Sequence, residues 1–90
     1  MEEKREDEEC AVYVYPLTKN LTSEHLREIF GHFGKLKDVE LNKSTKEHSE
    51  DRYGVVYFEK YGDAKFSILH LDQGEIDGTK VKVTLTKPNY

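Results

Sequence analysis

Tyr53–Phe58 reads YGVVYF, and its side chains alternate with a period of two: Gly54, Val56 and Phe58 fall on one face, Tyr53, Val55 and Tyr57 on the other. That pattern predicts a strand with apolar groups on both faces. Upstream, Ala11–Leu17 reads AVYVYPL and alternates in the same way, Val12 and Val14 opposite Tyr13 and Tyr15. Pro16 has no N–H for a ladder, so the strand is expected to stop there. Between the two, Thr22 or Ser23 can cap a helix in which Leu26, Ile29, Phe30 and Phe33 recur at helical spacing, with Gly34 placed to end it. Leu36–Leu41 predicts another strand, Val39 and Leu41 inward and Asp38 and Glu40 outward. The polar run NKSTKEHSED at 42–51 predicts a loop. Downstream, a helix over Tyr61–Leu71 presents Ala64, Ile68 and Leu71 as its core stripe. Asp77-Gly78 is a tight-turn signal, and Lys80–Thr86 predicts a last strand with Val81, Val83 and Leu85 inward.

The resulting order, β-α-β-β-α-β, predicts an α+β, ferredoxin-like fold: a four-stranded antiparallel sheet with two helices packed on one face. Helices can bury only that face. The other is left with Tyr13, Tyr15, Tyr53, Val55 and Tyr57, an arrangement suited to stacking unpaired bases.

Ninety residues allow one domain, and 36% hydrophobic residues with six Tyr and four Phe supply one modest core. No apolar run approaches the roughly 18 residues of a membrane span, and the charged N-terminus is unlike a signal peptide, so no membrane association is expected. The single Cys10 cannot form an internal disulfide. Residues 2–9, EEKREDEE, hold six acids and two bases and so carry the whole net charge of -4, leaving residues 10–90 neutral. Residues 1–9 therefore read as an acidic, disordered tail, 10–87 as the folded unit and 88–90 as a C-terminal tail.

The segments VYVYPL at 12–17 and DRYGVVYF at 51–58 resemble the shorter and longer signatures of the RNA recognition motif. The resemblance puts Tyr13 and Tyr53 on stacking positions. Asp51 stands where the family has Lys or Arg, Arg52 where it has Gly, and Val55 where it has a second aromatic. Within the family, LTKNLTSEHLREIFGHFG at 17–34 and LDQGEIDGTKVKVTL at 71–85 are similar to the branch of RNA-binding proteins with a serine-rich domain and plant SR-like splicing regulators. That resemblance implies a nuclear role in splicing and exon-junction assembly, with an Acinus- or Pinin-type protein as partner. The serine- and arginine-rich flanks of that branch are absent from these 90 residues.

The candidate RNA contacts are Tyr13 and Tyr53, then Val55, Tyr15 and Tyr57, with Arg52, Lys80, Lys82 and Lys87 as phosphate contacts. Tyrosine is also a good strand former, and solvated lysines need no ligand. The neutral domain, the acidic tail and outward Asp38 and Glu40 predict weak RNA binding by the isolated, monomeric domain. On the second helix, at ~100° per residue, Phe66 and Leu69 fall outside the core stripe and form a candidate docking face for a protein. A protein-interaction adaptor that binds little or no RNA is the alternative function. The four histidines show no metal-ligand spacing, Cys10 has no neighbouring base, and no Gly-rich phosphate loop is present, so neither catalysis nor a cofactor is expected.

Overall fold

The computed structural model describes residues 10–43, 52–76 and 78–86. Its elements in chain order are β1 (Ala11–Leu17), α1 (Ser23–Phe30), β2 (Leu36–Lys43), β3 (Arg52–Phe58), α2 (Tyr61–Leu71), β4 (Glu75–Ile76), β5 (Thr79–Lys80) and β6 (Lys82–Thr84). Four of the strands form an antiparallel sheet in the order β2-β3-β1-β6, while β4 and β5 make a separate two-stranded hairpin. The ferredoxin-like arrangement expected from the alternation is the observed one.

The main core lies between this sheet and the helices. Val12, Val14, Val56 and Phe58 from the central strands meet Leu26 and Phe30 of α1 and Ala64 of α2, all fully buried. Phe30 and Phe58 pack edge to face with ring centroids 6.3 Å apart, a geometry aromatic quadrupoles favour. Gly54 gives α1 its close approach, because a Cβ there would stand 2.6 Å from Leu26 Cδ1. On α2, Ser67 is also fully buried, and its hydroxyl donates to the Ala64 carbonyl at 2.8 Å, which makes a polar side chain tolerable in the core.

Thr22 caps α1 through a capping box: its Oγ1 accepts from His25 N, and its own backbone N–H donates to His25 Nδ1 at 3.1 Å. Histidine thus serves where Glu or Gln is usual.

Several boundaries differ from expectation. Pro16 does not end β1; an irregularity in register between Val14 and Leu17 accommodates it, and the strand continues with Leu17 buried in the core. The α1 helix stops at Phe30 with Gly31 as its C-cap, three residues before Gly34, whose close neighbour is the side chain of Asp63. Phe33 therefore joins the core edge from the following turn. Asn42 and Lys43 belong to β2, and residues 44–51 of the expected loop lie outside the described residues. The last strand is broken at Val81, whose N–H donates to Gly74 O at 2.8 Å and whose carbonyl accepts from Gln73 N at 2.9 Å. These two bonds replace ladder pairing at that position. Leu85, expected inward, is exposed, because β6 ends in a bend closed by Thr84 Oγ1 and the backbone of Thr86. Gly78 adopts a φ of 78° in the β4–β5 turn, a conformation that favours glycine, while Asp77 lies outside the described residues.

Candidate functional site

The sheet face opposite the helices is built by register. Across it, Glu40 of β2 pairs with Val55, Val55 with Tyr13, and Tyr13 with Thr84 of β6. Alongside run Asn42 opposite Tyr53, and Tyr15 opposite Lys82. The four strands thus bring together Tyr13, Tyr15, Tyr53, Val55, Tyr57 and Lys82 as the alternation predicts.

The face is less open than expected at its centre. Tyr53 is 8% exposed and Val55 3%, so both are buried, whereas Tyr13, Tyr15 and Tyr57 are half-buried. The reason is steric. β3 lies inside the sheet between β1 and β2, and the three flanking tyrosines pack against a small cluster of Ala11, Tyr53 and Val55. Tyr13 and Tyr53 have ring centroids 6.3 Å apart at 40°. Tyr13 is therefore the ring with surface to offer, and Tyr53 the ring it rests against.

The phosphate candidates divide. Lys82 is exposed and on this face. Lys80 is exposed but belongs to the β4–β5 hairpin, opposite Glu75, and not to the main sheet. Lys87 lies outside the described residues. Arg52 is on the wrong face: it shares the parity of Gly54 and Val56, and its Nη2 donates to the carbonyls of Thr18 at 2.7 Å and Leu21 at 3.0 Å. A guanidinium that holds two carbonyls of the β1–α1 connection braces that connection.

At the β2 side the face is acidic. The Tyr57 hydroxyl donates to Glu40 Oε1 at 3.4 Å. Partial burial first, then the charge of Glu40, hold the Tyr57 phenol above its ordinary range. Asp38 lies opposite Tyr57 on the same side and adds its charge to the shift, while its Oδ1 lies 3.5 Å from Arg27 Nη2 and accepts from Val39 N at 2.8 Å. Sequence reasoning placed Glu40 outward without finding its contact with Tyr57; the signal was the shared outward parity of β2 and β3.

On the helical side, Phe66 and Leu69 are exposed as expected but belong to different surfaces. Phe66 meets Phe33 and His70 edge to face, with centroids at 5.7 and 4.4 Å. Leu69, 79% exposed, lines a groove between α2 and β6 with Ile68, Val83 and Leu85. The 60° between them on the helix is enough to send one toward the turn after α1 and the other toward the sheet edge.

Among the described residues no cluster of three or more His, Cys, Asp or Glu could hold a metal ion, and no helix is long and apolar enough to cross a membrane. Cys10 is buried at 2% exposure.

The RNA recognition motif profile matches residues 12–82. The chain belongs to the RNA recognition motif family. Among proteins it resembles are the serine/arginine-rich splicing factor SR45 of Arabidopsis thaliana, 35% identical over 94% of this chain, and RNA-binding protein with serine-rich domain 1 of Danio rerio, 32% identical over 81%. A third, transformer-2 protein homolog beta of Homo sapiens, is 30% identical over 86% of the chain. The alignments span only 20%, 26% and 27% of those relatives. The fold matches the third RNA recognition motif of Mip6 (TM-score 0.73, 18% identity, 86% of this chain and 93% of that one). It also matches the Sex-lethal RNA recognition domains of Drosophila melanogaster (TM-score 0.74, 20% identity, 88% of this chain and 50% of that one). As an RNA recognition motif, the domain is a binding module and not an enzyme.

Proposed function

We propose that this motif binds single-stranded RNA on the face carrying Tyr13, as the RNA-binding part of a nuclear splicing factor. The observation that carries the reading is the half-buried Tyr13 ring, braced at 6.3 Å by Tyr53 and flanked by Tyr15 opposite Lys82. A base stacks on Tyr13, with Tyr15 and Tyr57 at its sides, and Lys82 meets the phosphate that follows. Binding is weak, because the 81 residues after the acidic stretch are neutral and Arg52 and Lys80 do not join Lys82 on the sheet. Splicing and a nuclear location are supported by the similarity to SR45 and to transformer-2. The test is a chemical-shift titration with short mixed RNA: shifts centred on Tyr13, Val55 and Lys82 support the reading, and an unchanged spectrum rejects it.

Docking of a protein on the helical side, in the manner of an Acinus- or Pinin-type partner, is the second reading. It is favoured by Leu69, which at 79% exposure borders an apolar groove of about 530 Å³. Loss of capture of such a partner by Leu69→Ser, with RNA binding retained, is the expected result.

A further inference from the structure

The outward charges differ between the two edges of the RNA face, Asp38 and Glu40 on β2, with Lys37 beside them, and Lys82 on β6. Glu40 and Lys82 stand on the two outer strands of the sheet, and the aromatic rings lie between them. This asymmetry orients a bound strand. Phosphate is repelled from Glu40 and attracted to Lys82, so the backbone runs on the β6 side and the base reaches across β1 and β3 toward β2.

The register then sets what the base meets. Glu40 pairs with Val55, and Val55 with Tyr13, so two strand spacings, about 10 Å, separate the Tyr13 and Glu40 backbones. A base stacked on Tyr13 and reaching over the covered Val55 brings its outer edge to the Glu40 carboxylate. That carboxylate is exposed, and the Tyr57 hydroxyl, donating to Oε1 at 3.4 Å, draws it over the β3 side of the edge strand. The phenol uses one of about four acceptor positions that a carboxylate has. Asp38 stands one row away, in line with Tyr57 and Ala11 and not with Val55 and Tyr13, and its Oδ1 is engaged by Arg27 and by the backbone of Val39.

We propose that Glu40 sets the specificity of this site, selecting guanine as the base stacked on Tyr13; the inference rests on the RNA-binding reading above. An ionised carboxylate only accepts hydrogen bonds. Guanine alone among the four bases presents two adjacent donors on its Watson–Crick edge, N1–H and N2–H, which fit the two carboxylate oxygens as a fork. Adenine and cytosine each set one amine donor beside a ring-nitrogen acceptor. Uracil sets its single N3–H between two carbonyl oxygens, whose partial negative charges face Glu40. Uracil is therefore the base most strongly rejected.

The experiment uses the 90-residue chain and four pentanucleotides with uridine flanks and G, A, C or U at the centre, followed by fluorescence anisotropy. The unmodified chain is expected to bind the guanine oligomer about tenfold more tightly than the all-uridine one, the low end for a bidentate base contact. Glu40→Gln replaces two acceptors by one acceptor and one donor, and the ratio is expected to fall to within about twofold through weaker binding of the guanine oligomer. Preference of the unmodified chain for any other base, or the same ranking in both proteins, overturns the inference while leaving RNA binding in place. Equal tightening of all four oligomers by Glu40→Gln also overturns it, because Glu40 would then be a repelling charge without base recognition. Failure of every oligomer to bind the unmodified chain overturns the RNA-binding reading itself, and this inference with it.

Discussion

The Tyr13 and Tyr53 rings stand 6.3 Å apart at 40°, and they differ in burial: Tyr13 keeps surface on the open face while Tyr53 is 8% exposed. Two tyrosines with matching places in the strand alternation therefore carry different loads. Removal of either tests the same site in different ways.

Tyr13→Ala is expected to weaken RNA binding by about 1 to 3 kcal/mol, the worth of one base–aromatic stack. Tyr53→Ala is expected to lower both RNA affinity and stability, the latter by roughly 3 kcal/mol, because it empties a buried position beneath Tyr13. Titration with RNA and thermal unfolding of both variants check this. Equal losses of stability would show that Tyr13 is as structural as Tyr53.

Arg52→Ala is expected to destabilise the domain by about 1.5 to 3 kcal/mol, since it removes charge-assisted bonds to the carbonyls of Thr18 and Leu21. The salt dependence of RNA binding should stay the same. On a single strand, a phosphate-contacting arginine would lower the slope of log affinity against log salt by about 0.7 when removed, so the slope separates a brace from a contact.

Gly54→Ala is expected to cost about 1 to 3 kcal/mol by overpacking. The new methyl would meet Leu26 Cδ1 at 2.6 Å and Val14 Cγ1 and Leu17 Cδ1 at 3.2 Å. Leu26 and Val14 are fully buried and have nowhere to swing. An unchanged denaturation midpoint would mean that α1 can lift from the sheet at little cost.

Much of this architecture is legible in the chain because its strands alternate strictly. Val12, Val14, Val56 and Phe58 announce the helical face, and Tyr13, Tyr15, Tyr53 and Tyr57 the other. Burial on the second face is not legible, since alternation assigns a side but not what neighbouring strands lay over it; Tyr53 and Val55 show the difference. The side on which Arg52 lies is obscured for a related reason. Arg52 stands one place after the position where the family has Lys or Arg, yet adjacent strand residues point to opposite faces, and the carbonyls that hold Arg52 lie more than 30 positions away. The break at Val81 was equally hidden, because the bonds that replace ladder pairing there come from Gln73 and Gly74 beyond α2.

Tyr57 carries the last prediction. Its phenol is held above the ordinary tyrosine value of about 10, first by partial burial and then by the negative charge of Glu40. Both disfavour the phenolate in the folded chain. The folded state therefore retains this proton at pH values where the unfolded chain has lost it, and the contribution to stability, complete below about pH 10, declines as pH rises above that value. Glu40→Gln removes the charge and leaves the burial, so the Tyr57 pKa is expected to fall toward, without reaching, its ordinary value. The ring-carbon NMR signal of Tyr57, followed from pH 8 to 12, reports this directly. Alkaline loss of stability should begin at the same pH in both proteins and be shallower in Glu40→Gln. An unmoved Tyr57 titration would show that Glu40 adds nothing to the shift and that the 3.4 Å contact with it does not persist in solution.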